Sequence, residues 1–370
     1  MILVTGGTGF VGQEVIRELL VRGYQVRLLV RHPERAVDFE KHPQIELVPG
    51  DVLKPETLAA AMIGVEAVIH LVGIIAETSH ITFEQAHVEA TRHILVAAKQ
   101  AGVTRHIQMS AAGTRAQARS RYHITKWEAE ELVRQSGMDW TIFQPSLIYG
   151  YDERDRLLNL LRTVLSLPLD LMPLLDDGRA LIQPVSVREV AHCFAHAVCN
   201  EAALGQTYEL VGPVAFSWRE MVVKIAQAIG KSVLYENIAL GFFTRVFLWL
   251  TILLAPVLVI KGLATGRLGL AWAEILAALE VVLFVTALRW RKLIIFNIPG
   301  GLLKAISRIM DAVVPRSLQF GEQLKMAEED NVGNPLPASQ TFAYEPETFE
   351  QGIARLLEHD LHFPPRLRSG

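Results

Sequence analysis

A short apolar strand that breaks into closely spaced glycines and runs straight into a helix leaves a chain few folds to choose from. Met1 to Thr5 (MILVT) is rich in β-branched residues, and Gly6, Gly7, Thr8, Gly9, Phe10, Val11 and Gly12 follow at once. Val11, Val15, Leu19 and Leu20 then recur at helical spacing up to Arg22. In such a strand, turn and helix, Gly6 permits the tight turn and Gly9 lets backbone approach a pyrophosphate. Gly12 lets helix pack on strand, while the helix N-terminus supplies N–H groups and a positive dipole. The spacing is G-x-x-G-x-x-G rather than G-x-G-x-x-G. Thr5 to Gly12 are therefore expected to form the wall of a dinucleotide site.

Strand and helix patterns alternate from there on. Strands are expected at Gln25–Val30, Ile45–Val48, Glu66–Val72, Thr104–Met109 and Trp140–Gln144. Helices are expected from Pro55 to Met62, Ile81 to Gly102 and Tyr122 to Ser136. That alternation implies an α/β fold: a Rossmann-type, doubly wound parallel sheet whose ligand lies beyond the strands' carboxyl ends. Residues 1–145 form the expected nucleotide domain, and 146–237 with 293–370 a smaller C-terminal lobe. That lobe includes a helix over Leu157–Leu165, strands at Ile182–Val187 and Gln206–Val211, and helices at Arg188–Asn200, Ser217–Ile229 and Pro346–His359. Asp176-Asp177-Gly178 reads as a turn.

Between the two pieces of the lobe lies an inserted hydrophobic helical pair, 238–292. Ile238–Ile260 and Leu268–Leu288 are each long enough to cross a bilayer, joined by the connector Lys261–Arg267. The 51% hydrophobic content is in keeping with so apolar a segment. Glu274 and Glu280 would face a partner helix or protein rather than lipid. Arg245, Arg289, Arg291 and Lys292 lie beside the outer ends, so the nucleotide domain is expected on the cytoplasmic side of a membrane. A buried helical pair within the lobe or at a subunit interface is the alternative. The given chain opens directly on a strand, so no cleavable signal peptide is expected. A net charge of −3 without a basic stripe argues against nucleic acid as a partner. Cys193 and Cys199 read as small apolar residues of one helix, and the twelve histidines show no metal-ligand spacing, so no metal is expected.

The end of the second strand sets the preferred nicotinamide cofactor. An acidic residue there would take the ribose 2′-hydroxyl; this chain instead has Arg31, with Arg35 four residues on. Two guanidinium groups suit a 2′-phosphate, which favours NADP(H) and leaves NAD(H) open. Asp51 could accept from the adenine amino group, with Val52 lining the adenine pocket. Tyr122 and Lys126, one helical turn apart, share a helix face.

The glycine run resembles that of extended and atypical short-chain dehydrogenases. Gly50-Asp51-Val52, His70-Leu71-Val72-Gly73, the Y-x-x-x-K of Tyr122 and Lys126, Pro145 to Gly150, Gln183 to Ala191 and Gly205 to Pro213 fit the same superfamily. Together they resemble the atypical branch that includes the nucleotide-binding accessory subunit of respiratory complex I, over residues 1–237 and 293–370. The resemblance implies cofactor contacts from Thr5, Gly6, Gly7, Thr8, Gly9, Phe10, Val11, Gly12, Arg31, Arg35, Asp51, Val52, Leu71, Val72, Gly73, Ser110, Tyr122, Lys126 and Pro145. It also implies a proton-transferring Tyr122, a supporting Lys126 and a substrate-orienting serine. Here the chain departs from the pattern. Ala112 stands where active families carry that serine, leaving Ser110 or Thr114, and Gln144 replaces a common arginine. Two functions follow: a membrane-attached protein holding the cofactor for structure or regulation, with a membrane protein complex as an expected setting; or a working NADP(H)-dependent oxidoreductase or isomerase on a quinone, isoprenoid or sterol-like substrate delivered from lipid.

Overall fold

The computed structural model describes residues 1–36, 39, 42–150, 171–228, 230, 232–235, 292–298, 301 and 321–359. The expected hydrophobic pair, apart from Lys292, lies outside them, as does the helix expected at Leu157–Leu165. Among the described residues, no helix is long and apolar enough to cross a membrane. The chain divides into two compact units. The first is Met1–Asn159, Ala180–Trp218 and Gly301–His362; the second is Leu160–Arg179, Arg219–Gly300 and Phe363–Gly370.

The first unit is built on a parallel sheet of β1 (Ile2–Thr5), β2 (Val26–Val30), β3 (Ile45–Pro49), β4 (Ala67–His70), β5 (Arg105–Met109), β6 (Asp139–Pro145) and β11 (Gln206–Leu210). Their order is β11-β6-β5-β4-β1-β2-β3, so strand order reverses between β1 and β4. Both faces are covered, which is why the central strands β1, β2 and β4 read as nearly continuous apolar runs, buried at every position, rather than alternating ones. On one face Ile2 and Val4 pack with Val15, Ile16 and Leu19 of α1 (Phe10–Val21) and with Phe143, Phe194 and Tyr208. On the other, Leu3 and Val68 pack with Leu58 of α2 (Leu58–Ala61) and with Ile94 and Ala98 of α3 (Ala90–Gln100). A π-helical stretch, Glu84–Glu89, runs directly into α3. After β5 comes α4 (Arg121–Arg134), capped by Ser120, whose side chain accepts from His123 N.

The boundary expected at residue 145 falls inside this unit. The physical reason is register: Gln206 to Leu210 pair with Thr141 to Pro145, so β11 extends the same sheet. Where one strand was expected at Ile182–Val187, there are two short ones, β9 (Leu181–Ile182) and β10 (Val185–Ser186). β10 pairs with β7 (Ile148–Tyr149), and β9 pairs with β12 (Phe216–Ser217). Next comes α5 (Val187–His196), closed by a capping box in which Ser186 and Glu189 hold each other's backbone. This helix stops before Cys199. Cys193 is buried as expected, whereas Cys199 is exposed beyond the helix end and receives the Tyr24 hydroxyl at 3.4 Å.

In the second unit, β8 (Leu171–Leu175), β13 (Ser232–Tyr235) and β14 (Lys292–Ile298) form a parallel sheet ordered β13-β14-β8. Leu174 and Ile295 pack there against Val222 and Ala226 of α6 (Trp218–Ala228). Asp176, Asp177 and Gly178 all have positive φ, the turn that the sequence suggested. In the first unit the C-terminal part supplies α7 (Gly321–Glu328), α8 (Leu336–Phe342) and α9 (Phe349–His359).

Candidate functional site

A cavity of about 260 Å³ lies where the strand order reverses, lined by the ends of β1, β2, β3 and β4. Thr5, Gly6, Thr8 and Gly9 form one wall, and Arg31, Asp51, Val52, Leu71, Val72 and Gly73 contribute to the rest. Gly6 has φ +75°, a backbone that side chains rarely adopt. A Cβ at Gly12 would sit 2.4 Å from Gly6 O and 2.5 Å from Gly7 Cα, so only glycine lets α1 start this close to the turn. Gly9, the N-cap of α1, makes no side-chain cap bond, and the first turn holds no acidic residue. Backbone donors and positive dipole thus meet a cavity with no carboxylate of the helix itself to oppose an anion. The residues present fit a dinucleotide's pyrophosphate.

The glycine run splits into two roles. Gly7 faces the core, where a Cβ would lie 2.3 Å from Leu28 Cδ1, and Gly12 serves packing. Val11 packs against the core, and Phe10 abuts Gly150, so these residues support the wall rather than line it. Arg31 is exposed at the mouth, beside His32, which pairs with Glu34 at 3.1 Å. Arg35 ends a short 3-10 turn, Pro33–Arg35; its side chain lies outside the described residues. Asp51 Oδ1 accepts from Leu53 N at 3.0 Å, fixing the carboxylate at the cavity's edge.

Lys126 is buried on α4 behind the cavity wall. Its Nζ donates to Met109 O at 3.2 Å, and a Cβ at Gly73 would come within 2.9 Å of it. Burial pulls its ammonium down to about 8, partly offset by Glu130. Glu130 is held in turn by Gln144 Nε2 at 2.8 Å and by Arg134, which gives Gln144 a partner of its own. Tyr122 is half-buried, with the edges of Phe83, His87 and His123 around its ring. Burial pushes its phenol up to about 12.

Ser110 is buried, its Oγ 3.5 Å from Thr114 Oγ1 and its N–H donating to Phe143 O. Ala112 is fully buried, and its N–H donates to Pro145 O at 2.9 Å. Ser110, Pro145, Tyr122 and Lys126 do not line the cavity itself. The structure brings Tyr122 and Lys126 to its α4 side and holds Ser110 and Pro145 in the adjoining strand ends.

Two residues that the motifs did not point to take part. His87, in the π-helical stretch, contacts both the cavity wall at Ile74 and α4 at Thr125. Its signal in the sequence was a polar residue on the apolar stripe Phe83, Ala90 and Ile94. Glu329 is almost fully buried and accepts from Arg119 N at 2.8 Å and Arg115 Nη2 at 2.6 Å. These bonds hold its carboxyl below the usual range, although burial alone would raise it. It braces the basic loop before α4 from more than 200 residues away, which no local pattern reveals. Among the described residues, no group of three or more His, Cys, Asp and Glu is placed to hold a metal ion.

Comparison with known proteins agrees with this geometry. A family described as NAD(P)H-binding matches residues 6–159. The NAD(P)H azoreductase of Xenophilus azovorans is 30% identical over 242 residues, 65% of this chain and 78% of that protein. The chain belongs to the NAD(P)H-binding, atypical short-chain dehydrogenase superfamily. Another relative of this superfamily member is the mitochondrial NADH dehydrogenase (ubiquinone) 1 alpha subcomplex subunit 9 of Arabidopsis thaliana, 32% identical over 227 residues. That match takes in 59% of this chain but only 55% of the plant protein's length. The crystal structure of an NADPH-dependent quinone oxidoreductase from Escherichia coli, complexed with NADPH, superposes with a TM-score of 0.65. It covers 96% of this chain and 100% of that one at 16% identity, a likeness of fold.

Proposed function

We propose that this chain holds a nicotinamide dinucleotide, NADP(H) in preference to NAD(H), as a structural or regulatory element of a membrane-attached protein. The observation that carries this reading is at Ala112. Where an active member places its substrate-orienting hydroxyl, a buried methyl stands instead, on backbone tied to Pro145 O. Ser110 is buried two residues away, and the phenol of Tyr122 is moved away from neutral pH rather than towards it. Bound nucleotide then stabilises the unit by linkage and keeps a docking surface in shape. Arg31 at the cavity mouth supports the choice of a 2′-phosphate. The apolar sequence 238–292 supports attachment to lipid, with the nucleotide unit on the cytoplasmic side. The plant relative, named as a subunit of an NADH dehydrogenase, supports a role within a membrane complex.

One observation favours a second reading, an active oxidoreductase on an apolar substrate. Lys126, drawn down to about 8 beside Gly73, is suited to hold a ribose and to bias a neighbouring proton transfer. The bound cofactor would supply or accept a hydride, and the azoreductase relative lends weight.

The deciding experiment uses protein purified gently in detergent. Nucleotide released on denaturation is identified by mass spectrometry, and reduced-nicotinamide absorbance is followed as quinones, azo compounds and other apolar acceptors are added. Tightly held NADPH that no acceptor oxidises is the expected result. Oxidation that vanishes in Tyr122→Phe, with cofactor retained, would establish the second reading instead.

A further inference from the structure

We infer that His87 is a positioning residue that ties the cavity wall at Ile74 to the helix carrying Tyr122 and Lys126, and so sets the width of the cavity's nicotinamide end. The inference rests on the dinucleotide reading above. His87 is almost fully buried in the π-helical stretch Glu84–Glu89. π-turns of this kind recur at functional sites because they re-aim a side chain out of the regular helical register. Here the ring points between two elements. Nδ1 lies 2.8 Å from Thr125 Oγ1, and Nε2 lies 3.3 Å from Ile74 N and 3.1 Å from Ile74 O.

The clamp selects one neutral tautomer. The single Thr125 hydroxyl proton goes to the backbone carbonyls of its own helix, so Oγ1 accepts from the ring. With the proton on Nδ1, the ring donates to Thr125 and Nε2 accepts the Ile74 N–H. Burial, and then the charge of Lys126, keep the ring well below its ordinary pKa, so it stays neutral across physiological pH. Thr125 is fixed by contacts at 2.9 Å to Arg121 O and 3.1 Å to Tyr122 O, and its next residue is Lys126. Ile74 follows Gly73, the residue that abuts Lys126 Nζ, and both line the cavity. The ring also stacks on Phe83, with centroids 5.5 Å apart, and meets Tyr122 edge-on at 5.4 Å. One side chain therefore touches the wall, the tyrosine and the lysine's neighbour together.

The test compares a whole dinucleotide with a fragment that does not reach this end. Wild type and variants of the full chain are titrated with NADPH or NADH, whichever wild type binds more tightly. The matching fragment is adenosine 2′,5′-bisphosphate or ADP. His87→Phe keeps the ring and its aromatic contacts but removes both polar ties. It should weaken the dinucleotide about tenfold, the scale of one or two lost hydrogen bonds. It should also reduce the fluorescence enhancement of the bound nicotinamide and leave fragment affinity unchanged. His87→Gln, which offers one donor and one acceptor, should restore both readouts. Unchanged dinucleotide affinity and fluorescence in His87→Phe would overturn the inference, and so would equal weakening of dinucleotide and fragment. If His87→Phe does not fold, Thr125→Val removes one anchor of the clamp and must show the same split. A wild type that binds neither ligand would overturn the dinucleotide reading itself, an outcome separate from the behaviour of the variants.

Discussion

Gly12 shows how a single missing Cβ decides the site. Its neighbours Gly6 O and Gly7 Cα are backbone atoms, which cannot move aside as the end of a side chain can. Gly12→Ala should therefore cost about 1–3 kcal/mol of overpacking strain and weaken dinucleotide binding as well, because α1 must back away from the turn. Urea denaturation and a nucleotide titration of the same variant check both effects. Gly64→Ala is a useful control: a Cβ there meets nothing within 4 Å, so it faces only the unfavourable φ of +70°. The proposed preference for NADP(H) rests on Arg31. It is exposed, so its loss leaves the fold intact, and Arg31→Ala should lower NADPH affinity about tenfold while NADH affinity holds. Equal affinities in wild type, unmoved by the substitution, would remove the case for a 2′-phosphate.

Among the elements, the N-terminus of α5 carries a pH dependence of its own. Glu189 accepts from Ser186 N and Glu347 N, joining α5 to the segment that leads into α9. Burial raises its carboxyl from 4.5 to about 7, against the lowering effect of those two bonds. A raised folded-state pKa means that the native protein holds this proton between pH 4.5 and 7 while the unfolded chain has released it. Stability from this group is thus full below 4.5 and falls as pH rises towards 7. Thermal melts from pH 5 to 7.5 should show that slope, and Glu189→Gln should flatten it. This element was only half legible in the sequence: the helix was, but its cap was not singled out. The same limit applies at the site. Gly6, Gly9, Gly12 and the Tyr122–Lys126 spacing are local in sequence, so their geometry follows from short-range pattern. His87 depends on a π-turn that helical periodicity averages away, and Glu329 depends on a contact across most of the chain.

For the molecule as a whole, the sheet of the second unit frames the question of the membrane. β13 and β14 are parallel neighbours, with Ser232 opposite Lys292 and Tyr235 opposite Ile295. Parallel neighbours need a crossover of roughly a dozen residues or more to return the chain from the end of one strand to the start of the next. Residues 236–291 fill that connection and carry nearly all of the apolar stretch. If they serve lipid rather than the fold, they should be replaceable. A variant in which a polar linker of at least a dozen residues replaces 238–290 should keep its thermal transition and its nucleotide affinity. In a flotation gradient with phospholipid vesicles, the full chain should rise with the lipid and the variant should stay at the bottom. A variant that loses its thermal transition would instead make the stretch part of the lobe's own core. A full chain that stays at the bottom would remove the membrane from the proposed function while leaving the nucleotide site as it is.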